Sequence, residues 1–309
     1  MRFLDVEHYL GLRGSDTWSR DGNEGTVVTK WLIGSILARH LSELTVPPNL
    51  YLEFARRLEP DDTVLTFNYD TLLERALDAV GKPYRLFPTR YESISQFSGT
   101  VDNSRDEVVV LKVHGSIDWF DRSSFEDSIA LNKLHDLQPP EDVIFSHESD
   151  LGLEPLIDGP CFNTDPLKTI YRARNLEALY GRNLLFRATP SILPPSAAKL
   201  LYAARLNDFW RGMGRAGYYN SGMAIIGFSL PAQDEYARQI VYQLVRNYQG
   251  YNWKKNHIGA KKTPLAIVDF FPDAGSKRRF QSRYQFVDWS RAALVGTGFN
   301  KAALSEVFA

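Results

Sequence analysis

Short apolar runs alternate along this chain with segments whose apolar positions recur every three or four residues, the pattern of strands joined by helices. From Thr26, the residues Ile33, Ile36, Leu37, Leu41 and Leu44 share one face and predict a helix, which Pro47-Pro48 stops. Leu50 to Leu58 predicts a second, shorter helix. Thr63 to Phe67 is the first clear strand, followed by a helix from Asp70 to about Val80. Pro83 to Phe87 predicts a short strand and Val108 to Val113 a buried one, with polar, irregular chain from Tyr91 to Arg105 between them. The tail predicts a strand over Gly222–Gly227, a helix over Gln233–Tyr248 and strands over Pro264–Phe271 and Tyr284–Trp289. Strands separated by helices argue for an α/β fold with a mostly parallel, helix-covered sheet.

Two regions interrupt that rhythm. Residues 1 to 25 lack periodicity, and Gly11, Gly14, Asp16, Gly22 and Asn23 read as loop. Residues 120 to 196 are scattered with prolines and read as a helical insertion, its best helix running from Pro166 to Tyr180. Pro194-Pro195-Ser196 then opens a helix to about Arg211. The expected organisation is an N-terminal helical segment (1–58), a Rossmann-like domain (59–291) holding the insertion, and a C-terminal tail helix (292–309).

Composition narrows the classes. The 309 residues are 44% hydrophobic with a net charge of −1, which gives no strong direct nucleic-acid signal. The clusters Lys254-Lys255 with Lys261-Lys262, and Lys277-Arg278-Arg279, read as solvated loops. Cys161 is the only cysteine, so neither an internal disulfide nor a cysteine zinc module is possible. The six histidines show no metal-ligand spacing, and no metal is expected. No apolar run reaches membrane-span length, and the acidic N-terminal stretch does not read as a signal peptide. The expectation is a cytoplasmic protein without a membrane partner.

Three strand ends carry the candidate chemistry. Val64-Leu65 runs into Thr66-Phe67-Asn68-Tyr69-Asp70; Val108–Val113 ends in His114-Gly115-Ser116; Met223–Ile226 ends in Gly227-Phe228-Ser229. In open α/β sheets ligands bind at this edge. Each end also has a plainer reading. Asp70, or Thr71 with Glu74 at capping-box spacing, can simply start a helix. His114 can be structural, with Asp118 and Trp119 available to wall or polarise a pocket beside it. Gly227 and Ser229 can form an ordinary strand–helix turn, or admit a ribose or phosphate. Asp269, closing Leu265–Val268, is a fourth strand-end acid of the kind that hydrogen-bonds ribose hydroxyls. Asp234 can be a ligand or a dipole-favouring residue at its helix start. Phosphate-loop, serine-elbow and zinc-protease motifs are missing from the sequence.

The ordered set Thr66-x-Asn68-x-Asp70, then His114-Gly115, then Gly227-x-Ser229-Leu230, each behind a strand, resembles the sirtuin family. The likeness covers roughly Asp62 to Phe271 and is closest to the divergent bacterial branch of antiphage NAD hydrolases. It implies NAD as substrate. Asn68 would position the nicotinamide ribose and the attacking water, and Asp70 would orient Asn68 or hold the nicotinamide side. His114 would act as general base near the ribose hydroxyls. Thr66, Gly115, Gly227, Ser229 and Asp269 would contact the dinucleotide. Such chemistry is positioning plus electrostatics, because the nicotinamide leaving group is already cationic.

Two departures from the family pattern matter. Without the four-cysteine zinc module, the resemblance points to NAD hydrolysis rather than protein deacylation. Nothing before Asn68 matches the family's Gly-Ala-Gly diphosphate loop, although Leu294 to Asn300 superficially resembles it. That departure keeps open a rival reading: a catalytically weak or inactive subunit of a defence complex that senses NAD or ADP-ribose or serves as a scaffold. The resemblance also implies a homo-oligomer, with a DNA-translocating ATPase as a possible partner.

Overall fold

A computed structural model describes residues 24–60, 62–138, 141–142, 144–146, 148–181, 189–193, 206, 209, 216–232, 234–251, 253–254 and 261–309. The expected N-terminal loop and the helix opening at Pro194 fall on residues outside this set. The chain divides into two compact units, residues 1–208 and 209–309.

In the first unit, α1 (Glu24–Glu43) and α2 (Asn49–Arg57) precede β1 (Thr63–Thr66), α3 (Leu72–Ala79), β2 (Tyr84–Arg85), β3 (Tyr91–Ile94), β4 (Gly99–Val101) and β5 (Val108–Lys112). Strands β1 and β2 pair in parallel on either side of β5. The β-branched run Val108-Val109-Val110 suits this central position, where a parallel strand is covered on both faces, and all three side chains are buried. Edge strand β1 is less covered, with Val64 and Leu65 half-buried. Leu52 and Ala55 of α2 and Ala76 and Leu77 of α3 are buried, and the two helices pack together.

Two regions differ from the sequence expectation. The polar stretch after Tyr91 is an antiparallel hairpin, β3 with β4, rather than irregular chain. Insertion 120–196 is not all-helical either. It contains a three-stranded antiparallel sheet in the order β6 (Trp119–Asp121), β8 (Ile170–Ala173), β7 (Leu153–Pro155), with α4 (Ser123–Leu134), α5 (Glu148–Leu151) and α6 (Leu176–Gly181). The expected Pro166–Tyr180 helix is a 3₁₀ turn, strand β8 and α6 in succession. Trp31 of α1, Phe120, Ile144, Phe145, Leu151, Ala173 and Leu179 form one core cluster of this region. Tyr180 seals it: its ring lies 4.8 Å from Trp31 and its hydroxyl donates to the Ile117 carbonyl at 2.6 Å.

The second unit holds β9 (Ala224–Ile226), α7 (Glu235–Gly250), β10 (Leu265–Val268), α8 (Ala274–Arg283), β11 (Ala292–Val295) and α9 (Lys301–Val307). Its sheet is parallel in the order β11-β10-β9. Central β10 is buried throughout, and each of its larger aliphatic side chains contributes about 1.5–3 kcal/mol on burial. Helix α7 buries Ala237, Ile240, Val241, Val245 and Tyr248 at helical spacing. Asp234 is its N-cap, accepting from the Ala237 N–H at 3.2 Å. The strand expected over Tyr284–Trp289 forms later, as β11, because α8 runs to Arg283 behind an Asp273–Ser276 capping box. The C-terminal segment expected as a tail helix therefore begins as a sheet strand. Among the described residues no helix is long and apolar enough to cross a membrane.

Candidate active site

Parallel register brings the strand ends that carry Asn68 and His114 side by side. Thr66 pairs with Lys112, so each candidate stands two residues beyond a paired position at the carboxyl edge. Hydrogen bonds fasten the two strand ends together. The Thr66 carbonyl accepts from Val113 N–H at 3.2 Å, the Tyr69 carbonyl from Ile117 N–H at 3.1 Å, and the Asp70 carbonyl from the Lys112 ammonium. Between the fastened points Asn68 is exposed. Its backbone N–H donates to Thr66 Oγ1 at 3.1 Å, so the threonine hydroxyl shapes the turn.

The Asp70 carboxylate accepts from Leu72 N–H at 2.9 Å, a local bond that turns the chain into α3. The possible Thr71–Glu74 capping box does not form; Thr71 makes no side-chain cap bond, and Glu74 is buried against Lys112 instead. Tyr51 of α2 lies close enough to feel the Asp70 charge: burial pushes its phenol up, and Asp70 adds to the rise.

His114 is only 6% exposed. Its ring lies near those of Phe67 and Tyr69, at centroid distances of 5.0 and 6.2 Å. Tyr69 is held from its far end, its hydroxyl donating to the Leu193 carbonyl. Leu193 N–H in turn donates to the His114 carbonyl at 2.8 Å. Gly115 has φ +77°, and a Cβ there would stand 1.8 Å from the Ser191 carbonyl oxygen. Segment 191–193 therefore closes over the end of β5, and only glycine fits beneath it.

Asp118 and Trp119, expected to wall or polarise a pocket beside His114, are both buried. Asp118 accepts from Arg172 Nε at 2.6 Å and from the Ser116 hydroxyl. Burial alone would raise its carboxyl, but the Arg172 and Lys112 charges outweigh that and hold it below the usual carboxylate range.

In the second unit Gly227, Asp269 and Gly296 follow register partners Ile226, Val268 and Val295, and so share one sheet edge. Gly227 has φ +63°, is exposed, and has open space where a Cβ would stand. Ser229 is exposed and its carbonyl accepts from Arg283 at 2.9 Å. Asp269 is half-buried, and its carboxylate accepts from Phe270 N–H at 2.7 Å. Phe270 beside it is 66% exposed, an aromatic surface that the sequence reading overlooked. Packing explains Gly296: a Cβ would lie 2.7 Å from the Phe271 ring.

The structure thus groups Thr66, Asn68, Asp70, His114 and Gly115 on one sheet edge, and Gly227, Ser229 and Asp269 on another. Sequence reasoning missed Lys112, Glu74, Arg172 and Tyr51. Lys112 offered a signal, since a cation inside an apolar central strand requires a buried counter-charge. Lys262, expected on a solvated loop, is 1% exposed and donates to the carbonyls of Tyr218, Tyr248 and Tyr251 at 2.8–3.0 Å. Lys277, Arg278 and Arg279 are exposed but lie on α8, not on a loop.

No curated protein matches the chain. A family of known domains does: residues 62–186, the span from β1 through the Asn68 turn and His114 into the insertion, match the SIR2-like domain, which supports a sirtuin-like assignment for this part of the molecule.

Proposed function

We propose that this protein is an NAD glycohydrolase that cleaves NAD to nicotinamide and ADP-ribose, and that it works as an antiphage effector by depleting NAD. SIR2-like domains use NAD, and the likeness of residues 62–186 supports that substrate class. One observation carries the rest of the reading: exposed Asn68 and nearly buried His114 each stand two residues beyond the last register pair of two adjacent parallel strands.

In the reaction, the bond between ribose C1′ and the nicotinamide nitrogen breaks. Its electron pair neutralises the pyridinium charge, so no acid is needed at the leaving group. Water adds at C1′ and gives up a proton. Asn68 orients that water and the ribose, and His114 serves as base near the ribose hydroxyls. Asp70 holds the nicotinamide side. In the second unit, the open space over Gly227 suits a close backbone approach by a ligand. Assembly into a homo-oligomer, and docking to a DNA-translocating ATPase, belong to the same proposal.

Nicotinamide release from NAD tests it. Asn68→Ala and His114→Ala are each expected to lower the rate at least 100-fold with the fold intact by circular dichroism. Parental rates in both variants would remove the two residues from the mechanism.

A further inference from the structure

Directly behind the Asn68 turn lie four charged side chains, Glu74, Lys112, Asp118 and Arg172, none more than 6% exposed. They form two ion pairs, Lys112 Nζ to Glu74 Oε1 at 2.7 Å and Arg172 Nε to Asp118 Oδ2 at 2.6 Å. The pairs feel each other: Lys112 lowers the Asp118 carboxyl, and Glu74 helps raise the Arg172 guanidinium. Burying four charges is costly, and an apolar pair of similar volume commonly stabilises a fold as well or better. Stability alone therefore gives no reason for a lysine at the end of β5.

The second bond of the lysine supplies one. Its ammonium also donates to the Asp70 backbone carbonyl, within the turn that presents Asn68. Lys112 is two residues before His114, on a strand whose backbone is locked to β1. One side chain thus spans from the base of His114 to the far end of the Asn68–Asp70 turn, while Glu74 fixes where its ammonium sits. Tyr69 is held on the same side through Ile117 N–H, and Thr66, before the tip, through Val113 N–H, so the turn is anchored on both sides of its tip.

We propose that Lys112, oriented by Glu74, is a positioning residue that sets the Asn68–Asp70 turn against His114. This rests on the NAD-hydrolase reading above. Displacing a reacting group by about 1 Å costs on the order of 100-fold in rate, so a loosened turn should appear in turnover before it appears in binding.

The test is the double variant Lys112→Met with Glu74→Leu, which removes both charges together. Its melting temperature is expected to stay near the parental value, while kcat for nicotinamide release falls about 10- to 100-fold with KM little changed. Parental kcat in this variant would make the pair merely structural and overturn the proposal. Glu74→Gln, which keeps the side-chain shape, gives the same reading should the double variant fail to fold: lowered kcat at constant KM supports it, and parental kcat overturns it. A parental protein that releases no nicotinamide would instead sink the glycohydrolase reading. Amide hydrogen exchange then decides the positioning role. Faster exchange at Tyr69 to Thr71 in these variants, with β5 protection unchanged, supports it, and parental exchange rates overturn it.

Discussion

Gly115 and Gly227 both end a strand of a parallel sheet, and both adopt positive φ, yet their surroundings are opposite. At Gly115 the Ser191 carbonyl occupies the place of a side chain; at Gly227 nothing does. One glycine lets the protein close over its own strand end, and the other leaves backbone open to solvent. The same contrast extends to the acids nearby. Behind β5 Asp118 is buried and committed to Arg172, whereas Asp269 after β10 is half-buried beside the exposed Phe270. A strand-end glycine and acid, identical in a sequence reading, can therefore belong to the packing or to an open surface. Burial decides which.

Substitution should separate the two glycines sharply. Gly115→Ala combines left-handed strain with a backbone clash and is expected to cost about 4 kcal/mol in urea unfolding. A loss under about 1 kcal/mol would mean that segment 191–193 does not close over this position. Next in size, Asp118→Asn leaves Arg172 buried without its counter-charge, for an expected loss of about 3 kcal/mol.

That carboxylate also predicts a pH dependence. Its folded-state value lies below the unfolded one, so its contribution is complete above about pH 4 and is lost as pH falls through the folded value. Parental stability should drop in acid, and the Asp118→Asn protein should show a shallower slope there. Equal slopes would assign the acid sensitivity to other carboxylates. The smallest effect is expected at Gly227→Ala, about 1 kcal/mol from the positive φ alone. A loss as large as that of Gly115→Ala would erase the contrast between the two edges.

Much of the framework was legible because its signals are local. The β-branched run at Val108 and the apolar run at Leu265 announce buried strands, and helical spacing announces α7. The insertion resisted reading because its strands are three or four residues long and carry no alternation long enough to register. The tail strand was displaced because Tyr284 and Val287 look like strand residues but are buried beside the end of α8. At the site, the order of Asn68, Asp70, His114 and Gly227 was visible, whereas the role of Glu74 was not. Its spacing from Thr71 suits a cap, and only a lysine 38 residues away diverts it.

By itself, then, the sequence determined an α/β protein with parallel strands whose polar ends carry Asn68, Asp70, His114, Gly227 and Asp269, since strand propensity and turn chemistry act between neighbours. Only the tertiary structure decided which of these ends are open and which are sealed. Pairings such as Lys112 with Glu74, Asp118 with Arg172 and Gly115 with Ser191 join residues distant in the chain, and no local pattern encodes whether a polar group meets water, a counter-charge or a carbonyl.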